Sequence, residues 1–238
     1  MKHIISSDAQ ATAQAFAEFL IDQINQSNTL NIALSGGSTP KILFELLADE
    51  YEEEVNWNKV NLYWGDERCV PPTDGDSNYK MTNDLLITQV SIPDSNVHRV
   101  LGENEPEGEA ARYGKEISDN LPAANGLPQF DIIILGMGGD GHTASIFPHE
   151  LELMNDERVC AIGVNPDSGQ KRVTLTGPVI NNAKHVCFLV TGEGKAEKID
   201  EIFNKKEGSE KYPAAHIAPT DGTLTWYMDQ AAALKLNS

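Results

Sequence analysis

Asp131-Ile132-Ile133-Ile134-Leu135-Gly136-Met137-Gly138-Gly139-Asp140-Gly141-His142-Thr143-Ala144-Ser145-Ile146-Phe147-Pro148 is the stretch on which the reading of this chain turns. Its first five residues form a short apolar run of the kind found in a buried parallel strand. The glycines after it let the backbone bend sharply, with positive φ open to each of them. Into that bend, at the carboxyl end of the strand, the chain places Asp140 and His142. Open α/β sheets hold their ligands at such ends. Histidine titrates near neutral pH, so it can take a proton from water and return it. A single loop histidine is more often structural, and Gly-x-Gly alone is a weak signal. Here the glycines, the acid, the histidine and the closing Phe147-Pro148 all come after one apolar strand, and that context favours a catalytic site.

Strand-like and helix-like patterns alternate on both sides of this stretch. Lys2–Ser6 reads as a strand, and Ser7 and Asp8 offer caps for an amphipathic helix with Ala13, Phe16, Phe19, Leu20 and Ile24 on one face. Leu30–Leu34 is the next strand. It runs into Ser35-Gly36-Gly37-Ser38-Thr39-Pro40 and a helix to about Ala48, with Thr39 suited to the cap and Pro40 to the first helical position. Val60–Trp64 is a third strand, leading to Gly65-Asp66-Glu67-Arg68. Helices are expected near Asn78–Leu86 and Glu107–Asn120, a short strand around Val97–Val100, and a solvated acidic loop at Glu103–Glu109. Further strands are expected at Val159–Val164, Arg172–Thr176 and His185–Val190, then a helix from Lys195 to Asn204. A Leu224–Met228 strand and a helix close the chain. The alternation predicts an α/β fold, a Rossmann-like open, mostly parallel sheet with helices on both faces. No linker interrupts it, so residues 1–238 read as a single domain.

Composition narrows the function. The chain carries 36 acidic and 18 basic residues, a formal net charge of −18. That balance disfavours nucleic acid or an anionic membrane as a partner. It also repels an anionic substrate at long range, so any phosphate site must be a local cluster of Arg, Lys and backbone N–H groups. Three scattered cysteines, Cys69, Cys160 and Cys187, fit reduced thiols in the cytoplasm. No apolar run approaches a membrane span or a signal peptide. The six histidines show no metal-ligand spacing, and there is no Gly-x-Ser-x-Gly elbow. Neither a metal nor another cofactor is expected.

Three further clusters sit at expected strand ends. Ser35–Thr39 is a strand, glycine loop and helix start whose N–H groups and hydroxyls suit an anion; an ordinary capped turn would look the same. It is neither a Walker loop nor Gly-x-Gly-x-x-Gly. Asp66-Glu67-Arg68 places Arg68 toward the crevice expected to hold His142, with the acids either fixing that Arg or binding substrate hydroxyls. Arg172 opens a strand, and Lys195 begins a helix, where a cation opposes the helix dipole unless an anion is shared there.

Together these residues resemble the 6-phosphogluconolactonase family. The resemblance runs through Ser35–Pro40, Asp66-Glu67-Arg68-x-Val70-Pro71, Ser77-Asn78, the 136–148 loop, Arg172 before Val-Thr, Gly192-x-Gly194-Lys195-Ala196, Pro213-Ala214-Ala215, and Trp226 with Asp229. Departures are slight, such as Ile146 where Leu is common and Lys80 after Asn78-Tyr79. The resemblance implies the glucosamine-6-phosphate deaminase/ribose-5-phosphate isomerase-like fold and hydrolysis of 6-phospho-D-glucono-1,5-lactone in the oxidative pentose-phosphate pathway. It implies His142 as general base, with Asp140 orienting it or holding the loop. Ser35, Gly36, Gly37, Ser38, Thr39, Arg172 and Lys195 would bind the phosphate. Arg68 and Asn78 would contact the substrate or close over it, with Arg68 on either the phosphate or the lactone, and Asp66 would also face the substrate. The expected oligomeric state is a monomer or weak homo-oligomer. Two alternatives share the fold, a deaminase-like aldose–ketose isomerase and a phosphosugar-sensing domain without turnover. The deaminase resembles Asp-Gly-His-Ile-Ala-Phe-Asn-Glu-Pro, whose Glu is replaced here, and the intact Asp140–His142 loop weighs against a pure sensor.

Overall fold

In the computed structural model, which describes residues 2–236, the Ile132–Leu135 run is an interior strand of a six-stranded sheet. The chain enters through β1 (Lys2–Ser6), α1 (Ala9–Gln26), β2 (Leu30–Leu34), α2 (Ser38–Glu50), β3 (Val60–Trp64) and β4 (Asp66–Arg68). It continues through α3 (Asn78–Thr82), α4 (Pro106–Asn120), β5 (Ala123–Ala124), β6 (Leu127–Pro128) and β7 (Ile132–Leu135). The remaining elements are β8 (Cys160–Val164), β9 (Lys171–Leu175), α5 (Gly177–Asn181), β10 (His185–Val190), α6 (Ala196–Phe203) and β11 (Thr223–Asp229).

The large sheet has the order β1-β11-β10-β7-β2-β3, and every neighbouring pair is parallel. All residues of β2 and β7 are buried. Successive side chains on a strand point to opposite faces, so both faces are covered, as an all-parallel sheet requires. From β2 the chain moves outward to β3; from β7 it moves the other way, to β10 and β11. The boundary between β2 and β7 is therefore a topological switch point, with a crevice at the carboxyl ends of the two strands. α1 packs its apolar face on this sheet. Asp8 caps it by accepting the Ala11 N–H at 2.8 Å, and Phe16 meets Tyr227 edge to face at 5.3 Å. Burying one such ring contributes roughly 1.5–3 kcal/mol, more than helix propensity alone supplies.

β8 and β9, which the alternation placed in a single mostly parallel sheet, instead build a separate antiparallel one, in the order β4-β9-β8. Gly65 is the junction. Its N–H donates to Leu34 O at 2.8 Å in the large sheet, and its carbonyl accepts from Leu175 N at 2.8 Å in the small one. Period and polarity mark a strand but not its partner, and that choice was out of reach of the sequence.

Other expectations are corrected locally. Val97–Val100 is not a strand; Val97 makes one parallel bridge to Leu62. The closing helix is absent from the described residues, where 230–236 run as turns after β11. α2 begins at Ser38 with Gly37 as its cap, so Thr39 and Pro40 lie inside the first turn. The acidic stretch at 103–109 is only partly a loop. α4 starts at Pro106, capped by Glu105, and Glu109 is buried, accepting from Leu101 N and Arg112. No helix among the described residues is long and apolar enough to cross a membrane.

Candidate active site

The switch point opens into a crevice of about 200 Å³. Ser35, Gly36, Gly37, Ser38 and Thr39 line it from the β2–α2 loop, Asp66 and Arg68 from β4, and Asn78 from α3. His142, Arg172 and Lys195 complete the set expected from sequence. Asp140 does not line the crevice; it stands behind His142, exposed to solvent.

The His142 loop is heavily cross-linked. Gly138 N–H donates to His142 O at 2.9 Å, Thr143 Oγ1 to Gly136 O at 2.8 Å, and Ser145 N–H to Thr174 Oγ1 at 3.1 Å. Ser145 Oγ donates to Asp66 Oδ2 at 2.6 Å, tying the loop to the small sheet. Ala144 takes a left-handed φ of 47°, an unusual conformation for a residue with a side chain, which this cross-linking sustains. A Cβ on Gly138 would stand 2.2 Å from His142 Nδ1 and 2.5 Å from Asp140 Oδ1, so only glycine lets the pair close over this backbone.

His142 Nδ1 lies 2.6 Å from Asp140 Oδ1, and the His142 backbone N–H reaches the same oxygen at 3.1 Å. A carboxylate only accepts, so Nδ1 carries a proton toward Asp140, and in the neutral ring the lone pair is on Nε2. Burial pushes the Asp140 carboxyl up, but its bonds to His142 and the charge of that ring outweigh burial and lower it to about 2. The ring leans on Phe147 at 4.7 Å, and the Arg172 guanidinium sits over the same Phe147 at 5.7 Å.

The opposite wall is cationic and unsatisfied. Arg68 and Arg172 are directly opposed in the β4–β9 register. Like charges at such positions destabilise a sheet. Arg68 donates to Asp76 O at 2.7 Å, but Nε of both arginines is buried without a partner. Burial and then the Arg68 charge lower the Arg172 pKa, and burial lowers that of Lys195. Among the described residues neither Arg68, Arg172 nor Lys195 has a carboxylate within ion-pair distance, although the chain has twice as many acids as bases. α2 adds a helix N-terminus without a side-chain cap, whose leading N–H groups are open to an anion.

The acidic pair does not hold Arg68. Glu67 is turned into the protein and accepts from the N–H groups of Arg68, Asn78 and Tyr79 and from Ser77 Oγ, at 2.7–3.1 Å. It fixes the turn that carries Asn78, whose Nδ2 donates to Asp66 O at 2.9 Å. Sequence reasoning missed Thr191, whose Oγ1 is 2.8 Å from that of Thr39 and joins the α2 and Lys195 loops across the crevice. It also missed what Asp229 does: the carboxylate accepts the Gly192 N–H at 3.0 Å and the Ala232 N–H at 2.7 Å, anchoring the Lys195 loop. Asp229 was visible only as a motif residue. Among the described residues no three His, Cys, Asp or Glu side chains converge as metal ligands would.

A parallel sheet with an Asp–His pair and a cationic wall at its switch point defines a class of small-molecule sites, and similarity to known proteins gives the family. The chain belongs to the family of glucosamine-6-phosphate isomerases and 6-phosphogluconolactonases, whose model matches residues 6–226. It is 43% identical to the 6-phosphogluconolactonase of Haemophilus influenzae over 98% of both chains. It is 44% identical to that of Treponema pallidum over 88% of this chain and 87% of the relative. The solved structure of the Trypanosoma brucei 6-phosphogluconolactonase superposes with a TM-score of 0.87 at 30% identity, covering 99% of this chain and 98% of that one.

Proposed function

We propose that this protein hydrolyses 6-phospho-D-glucono-1,5-lactone to 6-phosphogluconate in the oxidative pentose-phosphate pathway; the relatives it resembles over most of their length are named 6-phosphogluconolactonase. The observation that carries the reading is the Asp140–His142 pair facing two opposed arginines whose Nε atoms are buried without a protein partner. His142 Nε2 takes a proton from water as the oxygen attacks the lactone carbonyl. The tetrahedral oxyanion collapses, the ring C–O bond breaks, and the same proton passes to the departing ring oxygen. Asp140 keeps Nδ1–H in place and stabilises the imidazolium. A δ-lactone is an activated ester, so one oriented base and a held substrate suffice.

Arg172, Lys195 and the start of α2 (Gly36, Gly37, Ser38, Thr39) hold the phosphate, and Arg68, opposed to Arg172, shares that anion. Ser35 joins that loop in holding the phosphate, and Asp66 and Asn78 face the rest of the substrate. Phe147 supports this reading over the isomerase half of the family. It lies where the deaminase pattern has its carboxylate, buried against His142 and Arg172, and can neither donate nor accept a proton. We also propose that the enzyme acts in the cytoplasm, with its thiols unpaired, as a single domain and as a monomer or weak homo-oligomer. The crevice is complete within one chain, and β1 lies beside β11 in one sheet.

The deciding experiment compares hydrolysis of freshly made 6-phosphogluconolactone with its spontaneous rate, with glucosamine 6-phosphate in parallel. Catalysed opening of the lactone with no deamination is expected; turnover of the amino sugar alone would replace the proposal with the isomerase reading.

A further inference from the structure

The Lys211–Ala215 segment carries one of the sequence motifs, yet none of it lines the crevice. It lies directly behind the His142 loop. Gly141, between Asp140 and His142, has φ of +87°, and a Cβ there would stand 2.6 Å from the Tyr212 ring. The ring thus rests on bare backbone at the apex of the loop. Ala214 N–H donates to Gly141 O at 3.1 Å, so ring and backbone grip the same residue.

The other end of Tyr212 is fixed as firmly. Its hydroxyl donates to Glu201 Oε2 at 2.6 Å and accepts from Lys198 Nζ at 2.7 Å, and Lys198 bonds Glu201 at 2.8 Å. The Lys198 ammonium also lies 4.6 Å from the ring centroid. Tyr212 is 4% exposed, a phenol whose polar tip is met by both charges of an ion pair. Lys198 and Glu201 belong to α6, the helix directly after Lys195. One aromatic side chain therefore spans from the helix of the cationic wall to the apex of the base-bearing loop.

We propose that Tyr212 is a positioning residue for His142: it holds the loop through Gly141 and is itself held by Lys198 and Glu201. Hydrogen bonds hold the loop at Gly138 and at Thr143–Ser145. Tyr212 with Ala214 holds it at Gly141, between the two members of the exposed Asp140–His142 pair, where a glycine-rich turn needs outside contacts to stay in one geometry. The proposal rests on the hydrolytic reading above, and its test separates the two.

Tyr212→Ala removes the ring from Gly141; Tyr212→Phe and Glu201→Gln keep the ring and each remove one partner of the hydroxyl–carboxylate bond. With the phosphorylated lactone, Tyr212→Ala is expected to lower kcat by about 10²-fold, the scale of an ångström of misplacement. KM should stay within about threefold, because the phosphate contacts are untouched. The two conservative variants should each lower kcat by roughly 3–10-fold, and their combination should cost no more than one alone, since both remove the same hydroxyl–carboxylate bond. The substrate-free protein supplies a second readout, the low-field proton resonance of His142 Nδ1–H, expected to shift or vanish in Tyr212→Ala. A folded Tyr212→Ala with wild-type kcat and an unmoved resonance overturns the proposal, even if its Tm falls. Should that variant not fold, unchanged kcat and resonance in both conservative variants overturn it equally. Wild-type protein that leaves the lactone untouched defeats the hydrolytic reading instead, while the resonance still tests Tyr212.

Discussion

The two walls of the crevice treat their polar groups in opposite ways. On the His142 wall, Asp140, Thr143 and Ser145 all have their partners within the protein, and Gly138 is shaped to admit them. On the cationic wall, Arg68 and Arg172 confront each other across a strand pair with buried Nε atoms left open, and Lys195 has lost more to burial than the charge of Asp140, beyond ion-pair distance, returns. The first wall is finished before any ligand arrives, as a group that must meet a transition state in fixed geometry has to be. The second is finished only by an anion. Buried polar groups left unpaired cost free energy, so this wall stores a penalty that binding relieves.

This contrast predicts the sizes of the effects. The largest belongs to the finished wall. His142→Gln should lower kcat by roughly 10²–10⁴-fold with little change in KM, the usual range for a lost general base. Near-wild-type turnover in a folded His142→Gln would erase the distinction between the walls. The cationic wall should act on kcat/KM instead. A charge-assisted hydrogen bond contributes about 1.5–3 kcal/mol, so Arg172→Ala or Lys195→Ala should each cost roughly 10–10²-fold on the phosphorylated lactone. Unphosphorylated glucono-1,5-lactone should be at least about 10²-fold poorer for the wild type and nearly indifferent to either substitution. Equal kcat/KM for the two lactones would mean that this wall does not read phosphate.

The same wall gives a thermal signature. Inorganic phosphate at about ten times its Kd should raise the wild-type Tm by roughly 3–6 °C, and Arg172→Ala should abolish the rise. Without phosphate, Arg172→Ala should be at least as stable as wild type, because it relieves the opposition with Arg68; a clear loss of Tm would show that wall to be structural. A smaller effect concerns acid. The Asp140 carboxyl is lowered from 3.8 to about 2, so its contribution to stability is fully present above about pH 4 and lost as pH falls through about 2. The pair is exposed, so an acid titration of Asp140→Asn against wild type should differ by no more than about 1 kcal/mol, and only in that window. The smallest expected effect is none: exhaustive dialysis against EDTA should leave kcat unchanged. Activity that returned only with a divalent ion would require a ligand set that the His142 wall does not contain.

Much of this site was legible because its parts lie at strand ends. β2 and β7 announce themselves as short apolar runs, and the residues just past such a run in an α/β chain face the crevice. Ser35–Thr39, Asp66, Arg68, His142 and Lys195 were found on that ground, and all of them line the crevice. Glu67 was misjudged because a carboxylate beside an arginine invites an ion pair. Its partners are backbone N–H groups ten or so residues on, which composition does not encode. Val97–Val100 failed for the reason short apolar segments often do: one bridge to Leu62 was all the sheet edge offered.

By itself the sequence determined the strands of the large sheet, where the chain bends after them, and which chemical groups stand at the bends, since periodicity, glycine and side-chain chemistry are local properties. Its motif order resembled one family, and the family model and curated relatives bear that out. Tertiary structure alone decided that β4, β8 and β9 leave the main sheet, and so brought Arg68 opposite Arg172. It alone tied Ser145 to Asp66 across 79 positions of sequence, and set Tyr212 on Gly141. Each of these is a choice of partner between distant segments. It is fixed by which surfaces and unsatisfied polar groups remain once the large sheet has closed, and no window of sequence contains that information.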